Sequence, residues 1–145
     1  MFLEIVNSNQ EELIMEVMDA RKWLEVYDLI LTRENIVRLF EVRRSSLEDF
    51  GLIEVGDNTI LKIIYGFSDS DYIDKNEYVN ILLELIRIFY YYQNEFRGVL
   101  SDDEIIRHMR WVFNHECNGI IELLESVSLD KIKKMLDSGE YDGYY

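Results

Sequence analysis

The chain predicts an all-α fold, a single-domain bundle of about six helices around one central hydrophobic helix at 74–97. Three observations lead there. The segment 74–97, DKNEYVNILLELIRIFYYYQNEFR, is the longest and most apolar helical pattern in the sequence. Helix-capping spacings recur along the chain and divide it into helix-length pieces. Proline is absent, and only 52–55 alternates apolar and polar residues, which is too short to define a sheet.

At about 100° per residue, Tyr78, Val79, Leu82, Leu85, Ile86, Phe89, Tyr90 and Phe96 share one broad face of 74–97. Ile81, Leu83 and Ile88 widen it. Asn76, Asn80, Glu84, Arg87 and Asn94 form one narrow polar stripe. A helix apolar nearly all round is the centre of a soluble bundle or a membrane span. Glu84 and Arg87 in its middle argue against the membrane, at roughly 3 kcal/mol for each buried charge on insertion scales.

The remaining elements follow in order. Ser8 and Glu11 have capping-box spacing, which predicts a first helix over 9–27 with Leu13, Val17, Ala20, Leu24 and Tyr27 as its core stripe. Trp23 flanks that stripe as a core residue. The connector 28–31 is apolar enough to dock on the bundle. Thr32 caps a second helix, 33–50, closed by Gly51 and burying Ile36, Val37, Leu39, Phe40, Leu47 and Phe50. Gly56, Asp57 and Asn58 lead into a third, 59–67. Asp74 and Glu77 suggest a box for the central helix, and Ser101 and Glu104 one for a helix over 102–117. Asn118-Gly119 breaks that helix. A short turn at 120–125 and a last helix at 129–136, capped by Ser128, complete a domain of 1–138. A flexible acidic and tyrosine-rich tail, 139–145, follows.

Composition narrows the function classes. The 145 residues include 29 acidic and 15 basic side chains, a formal net charge of −14. Direct nucleic-acid binding, which depends on Lys and Arg at phosphates, is not expected. The acidity spreads over the whole chain. It fits an ordinary solvated shell, and it also fits a shell that imitates nucleic acid and docks on a basic partner. The lone Cys117 excludes an internal disulfide and any multi-cysteine zinc site. The start MFLEIVN lacks the pattern of a secretion signal, and no stretch makes an uninterrupted span, so the expectation is a cytoplasmic bacterial-type protein without membrane contact.

Candidate functional residues fall into two sets. For partner binding, Glu11, Glu12, Glu16 and Asp19 form one acidic row, and Asp102, Asp103 and Glu104 another. Acidic first turns are also what any stable helix shows. Trp111, Tyr91, Tyr144 and Tyr145 are aromatic anchor candidates. For a cleft, the candidates are Arg43, Glu84 and His108, with Tyr90 to Tyr92. Arg43 falls within a buried arc, so it snorkels out along its stem, pairs with a core-edge carboxylate such as Glu84, or faces an anion-binding cleft.

No catalytic residue, metal ligand or cofactor is expected. The segment FSDSDYIDKNEY ends like a calcium loop, but counting back from Glu77 places Gly66 at the first ligand position and Asp71 where the turn glycine belongs. Glu104 and His108 have metal-ligand spacing, yet His115 lies too far along the axis to join them. Cys117 and His115, two apart on a helix, do not face each other.

Several segments carry a resemblance. These are Glu41-x-Arg43-x-x-Ser46-Leu47, Gly51-x-Ile53-Glu54-x-Gly56 and Phe67-x-Asp69-Ser70-x-Tyr72-Ile73. To them are added Glu77-x-Val79 through Phe89-Tyr90-Tyr91-Tyr92, and Ser101-Asp102-Asp103-Glu104. Over 40–124 the chain resembles an uncharacterised family of small acidic proteins from clostridial-type bacteria, a domain of unknown function. The resemblance implies no activity, substrate or cofactor and transfers no site residues. The expected function is a non-enzymatic acidic module that binds a basic protein partner, a nucleic-acid-binding protein being the case that mimicry implies. A ligand-binding or enzymatic helical bundle and an oligomeric structural subunit remain the alternatives.

Overall fold

Ten side chains of one helix, from Tyr78 to Tyr92, lie buried, and every other long element leans on that helix or on its neighbours. The computed structural model describes residues 2–54 and 57–138, with side chains from Gln10 onward. The tail 139–145, with Tyr144 and Tyr145, and Gly56 lie outside the described residues. Among those described are seven α-helices: α1 (Phe2–Asp19), α2 (Arg21–Glu25), α3 (Arg33–Asp49), α4 (Thr59–Phe67), α5 (Tyr78–Glu95), α6 (Asp102–His115) and α7 (Ile121–Ser138). A 3-10 turn, Lys75–Glu77, precedes α5. α3, α4, α6 and α7 pack on α5, α1 packs on α3 and α4, and α6 bridges α4 and α7. The all-α class and the central place of the most apolar helix are as the sequence predicts.

Four of the helix ends follow their sequence signals. Thr32 and Ser101 close capping boxes with Asn35 and Glu104. Asn58 caps α4 at the Leu61 amide. Gly51, at φ +64°, ends α3, and the Leu52 amide reaches back to the Leu47 carbonyl at 2.8 Å, the six-to-one bond of a Schellman cap.

Other ends correct the reading. Ser8 is not an N-cap, because α1 already begins at Phe2. A serine inside a helix costs only a few tenths of a kcal/mol, so the Ser8-Glu11 spacing does not compel a start there. The first helix also breaks at Ala20, where Arg21 Nε donates to the Met18 carbonyl at 3.2 Å and a side chain thus enters the backbone ladder. Asp74 and Glu77 form no box. The first turn is wound as 3-10, so Asp74 Oδ1 receives the Asn76 amide at 2.9 Å, while Glu77 accepts from Asn80. Ser128 caps nothing. It is buried mid-way along α7, which runs unbroken to Ser138.

Polar pins tie the elements together. Ser68 and Tyr78 share a buried 2.7 Å hydrogen bond across the α4–α5 junction. The Tyr92 hydroxyl donates to the Leu124 and Glu125 carbonyls and fixes α7 on α5. Loop residues Asp69 and Ser70, within the segment that ends like a calcium loop, reach α6. Arg110 pairs with Asp69 at 3.2 Å, and Ser70 Oγ donates to Asn114 at 2.6 Å.

Gly119 completes the same seam at φ +81°, where an added Cβ would lie 2.5 Å from Tyr72 Cβ and 2.9 Å from its carbonyl oxygen. Gly98, at φ +77°, has open space around it. Gly119→Ala is therefore expected to destabilise the fold by more than about 2 kcal/mol, from clash added to left-handed strain, and Gly98→Ala by only about 1. Urea denaturation of the two variants checks the contrast.

Candidate functional site

The two acidic rows meet at α4. Glu11, Glu12, Glu16 and Asp19 are exposed on α1. Glu16 Oε1 accepts from Asn58 Nδ2 at 3.0 Å, and the same amide nitrogen donates to the Leu13 carbonyl. Four residues on, Lys62 pairs with Asp103 at 3.2 Å and with Asp57 at 3.5 Å. Residues four apart lie on one helix face, so one edge of α4 holds the α1 row on one side and the start of α6 on the other. Partial burial works to lower the Lys62 pKa, but its bonds to Asp103 and Asp57 outweigh that and raise it. Not all the α6 carboxylates are free to face a partner. Asp102 accepts from Gln93 Nε2 at 3.0 Å, and Glu104 closes the α6 cap.

Trp111 does not project as a bare anchor. Its ring stacks on His115 with centroids 4.7 Å apart, and Lys131 Nζ stands 5.9 Å from its centroid. Lys131 also pairs with Glu116 at 2.6 Å. The indole is thus a half-buried clasp between α6 and α7. Tyr91 is half-buried beside Phe50 and Glu125.

The cleft candidates occupy three separate environments. Arg43 does not pair with Glu84. It is 5% exposed, and its Nε donates to Glu54 Oε1 at 2.9 Å. Tyr90 donates to the same oxygen at 2.8 Å, and Thr59 Oγ1 to Oε2 at 2.9 Å. One guanidinium, one carboxylate and two hydroxyls make a closed, charge-balanced network that pins the 52–54 loop on α3, α4 and α5. Burial first, and then the Glu54 charge, push the Tyr90 phenol upward, so it stays a protonated donor. Glu84 instead meets Arg87 at 3.3 Å on the surface.

His108 is fully buried, with Nε2 3.2 Å from the Ser128 carbonyl of α7. Burial pulls its pKa from 6.5 down to about 4, against the backbone bond, with the Lys131 charge adding to the fall. Cys117 is buried, and that burial pushes its thiol up, the opposite of an activated nucleophile. Among the described residues no group of three or more His, Cys, Asp or Glu side chains is placed to hold a metal ion, and no helix is long and apolar enough to cross a membrane.

Sequence reasoning missed Glu54, the hub of the buried network. It stands in the Gly51-x-Ile53-Glu54 segment, eleven residues from Arg43, and no helical or strand period links the two. The only signal was a lone acid in an otherwise apolar stretch, near a buried arginine that needed one.

Residues 16–142 match a family of unknown function, DUF6323. The chain belongs to that family. The match extends beyond 40–124 on both sides, so 16–39 and 125–142 are part of the family pattern too. No curated protein and no solved structure matches the chain.

Two outcomes follow for this DUF6323 member. Arg43→Met strands a buried carboxylate and is expected to cost about 3–5 kcal/mol, whereas Arg43→Met with Glu54→Leu recovers part of that loss and Glu84→Gln costs less than about 0.5. Chemical denaturation of the three variants measures it. For His108, the native pKa lies below the unfolded one. Between pH 6.5 and 4 the unfolded state therefore binds a proton that the native state refuses, and stability falls as pH falls. About 2 kcal/mol is lost on this account between pH 7 and pH 5. Unfolding free energies from urea titrations at the two pH values should differ less in His108→Gln than in the wild type by that amount.

Proposed function

We propose that the chain is a non-enzymatic, acidic protein-binding module that docks on a basic partner surface, with carboxylates standing where nucleic-acid phosphates would. The observation that supports it most is the convergence of both acidic rows on one edge of α4, through Asn58 to Glu16 and through Lys62 to Asp103. Glu11, Glu12 and Asp19 extend that edge along α1, and Asp57 sits between the rows. Asp102 and Glu104, held by internal bonds, and Asp103 and Asp57, paired with Lys62, shape the edge, while Glu11, Glu12 and Asp19 face the partner. Trp111, clasped between α6 and α7, lies apart from that edge and is not one of its anchors.

A partner that reads such an edge is cationic, a nucleic-acid-binding protein being the natural case. Encounter with it is steered by a net charge of −14. The small-ligand reading rested on Arg43, Glu84 and His108 acting together, and their separate environments give it no support.

The test is capture of partners from the native cell on the immobilised protein, followed by elution in a salt gradient. The partner is expected to leave steeply as salt rises, to be displaced by duplex DNA, and to bind Glu11→Lys/Glu12→Lys about tenfold or more weakly. A partner held undiminished through high salt, and indifferent to that variant, would overturn the proposal in favour of apolar docking.

A further inference from the structure

α5 is covered on all sides but one. α3 and α7 both pack on it, yet among the described residues their backbones do not approach each other. Between them runs a furrow whose floor is the polar stripe of α5. Asn80, Glu84, Arg87 and Tyr91 follow at helical spacing along about 16 Å, or three turns. Three hollows of about 720, 310 and 340 Å³ open along it, and Arg87 lines all three. The bundle has the outline of one from which a flanking helix is missing.

We infer that this furrow is a docking site for a cationic amphipathic helix of a partner protein. It shares no residue with the α1–α4–α6 edge. Seven carboxylates and two guanidiniums line the hollows, so the furrow is negative overall. Apolar contact is offered by Tyr72 and Ile120, which are 45% and 50% exposed, and by half-buried Phe50 and Tyr91. A second copy of this chain would bring like charge against like. A helix with Lys or Arg near its ends and apolar residues at i, i+3, i+4 and i+7 meets both features. Arg38 and Arg87 line two of the hollows together, at mid-furrow. The fitting helix therefore carries one Asp or Glu between its basic ends.

The test uses a designed Lys/Leu amphipathic helix of about 18 residues, long enough to be helical alone, with one central Glu. A scrambled peptide of the same composition is the control. Backbone amide shifts are expected to move at Asn80, Glu84, Arg87, Tyr91 and Ile120. Glu84→Lys/Glu122→Lys should weaken binding by about tenfold or more while Glu11→Lys/Glu12→Lys changes it less than about twofold, and the scrambled peptide should bind about tenfold more weakly. Both variants replace exposed or half-exposed side chains, and their thermal melts confirm folding. Ile120→Ser offers a charge-neutral check, expected to weaken binding as well.

Equal loss in both lysine variants, equal binding of the scrambled peptide, or shifts confined to α1 and α6 would reduce the effect to general charge attraction and overturn the inference. Absence of binding would overturn it, and so would sedimentation showing a dimer that protects the furrow.

Discussion

A helix that is apolar on almost every side has to be enclosed, and that requirement organises this molecule. α5 buries ten of its eighteen residues, each large one worth about 1.5–3 kcal/mol when fully removed from water. One neighbour covers only a stripe of a helix, so enclosure takes several. α3, α4, α6 and α7 supply it, and α1 seals the seam between α3 and α4. The uncovered remainder is where α5 carries Asn80, Glu84 and Arg87. Polarity of that stripe and openness of the furrow above it have one cause. Residues that face no neighbour have no reason to be apolar.

Polar groups inside such a core are costly unless bonded, and here most serve as ties between elements. Arg43, Glu54, Tyr90 and Thr59 join three helices and a loop. Ser68 and Tyr78 join the end of α4 to the start of α5, and Tyr92 holds α7 by its carbonyls. His108 meets Ser128 across the α6–α7 seam. Apolar burial is non-directional and tolerates sliding of one helix along another. Hydrogen bonds between named atoms do not, so these ties set register where hydrophobicity alone sets only proximity.

This division explains what the sequence disclosed. Periodicity and caps are local, so α3, α4 and α6 were legible to within a residue or two from Thr32, Gly51, Asn58 and Ser101. The same local logic misread Ser8 and Ser128, because a serine's small helix penalty yields to packing around it. It misread Asp74 because the winding of the first turn decides which amide a side chain meets. Arg43 was legible as a buried charge in want of a partner, but its partner lay in a loop with no period to place it. The acidic rows were legible as rows. Their meeting across α4 depends on Asn58 and Lys62, which only the packing of α1, α4 and α6 brings between them.

Charge and core together constrain how such a protein meets others. Apolar residues are drawn inward, and carboxylates are left on the shell, on α1, on the start of α6 and around the furrow. Where basic residues occur on that shell, several are already engaged. Lys62 is held between two aspartates, Lys75 by Asp28, Lys131 by Glu116 and Arg110 by Asp69. Each such pair is close to neutral locally, so the net charge of −14 is carried by the carboxylates left over. A net negative surface attracts cations in general, and where the carboxylates are fixed decides where that attraction is strongest. In this fold the fixing is done by α4 for one set and by the walls of α5 for the other.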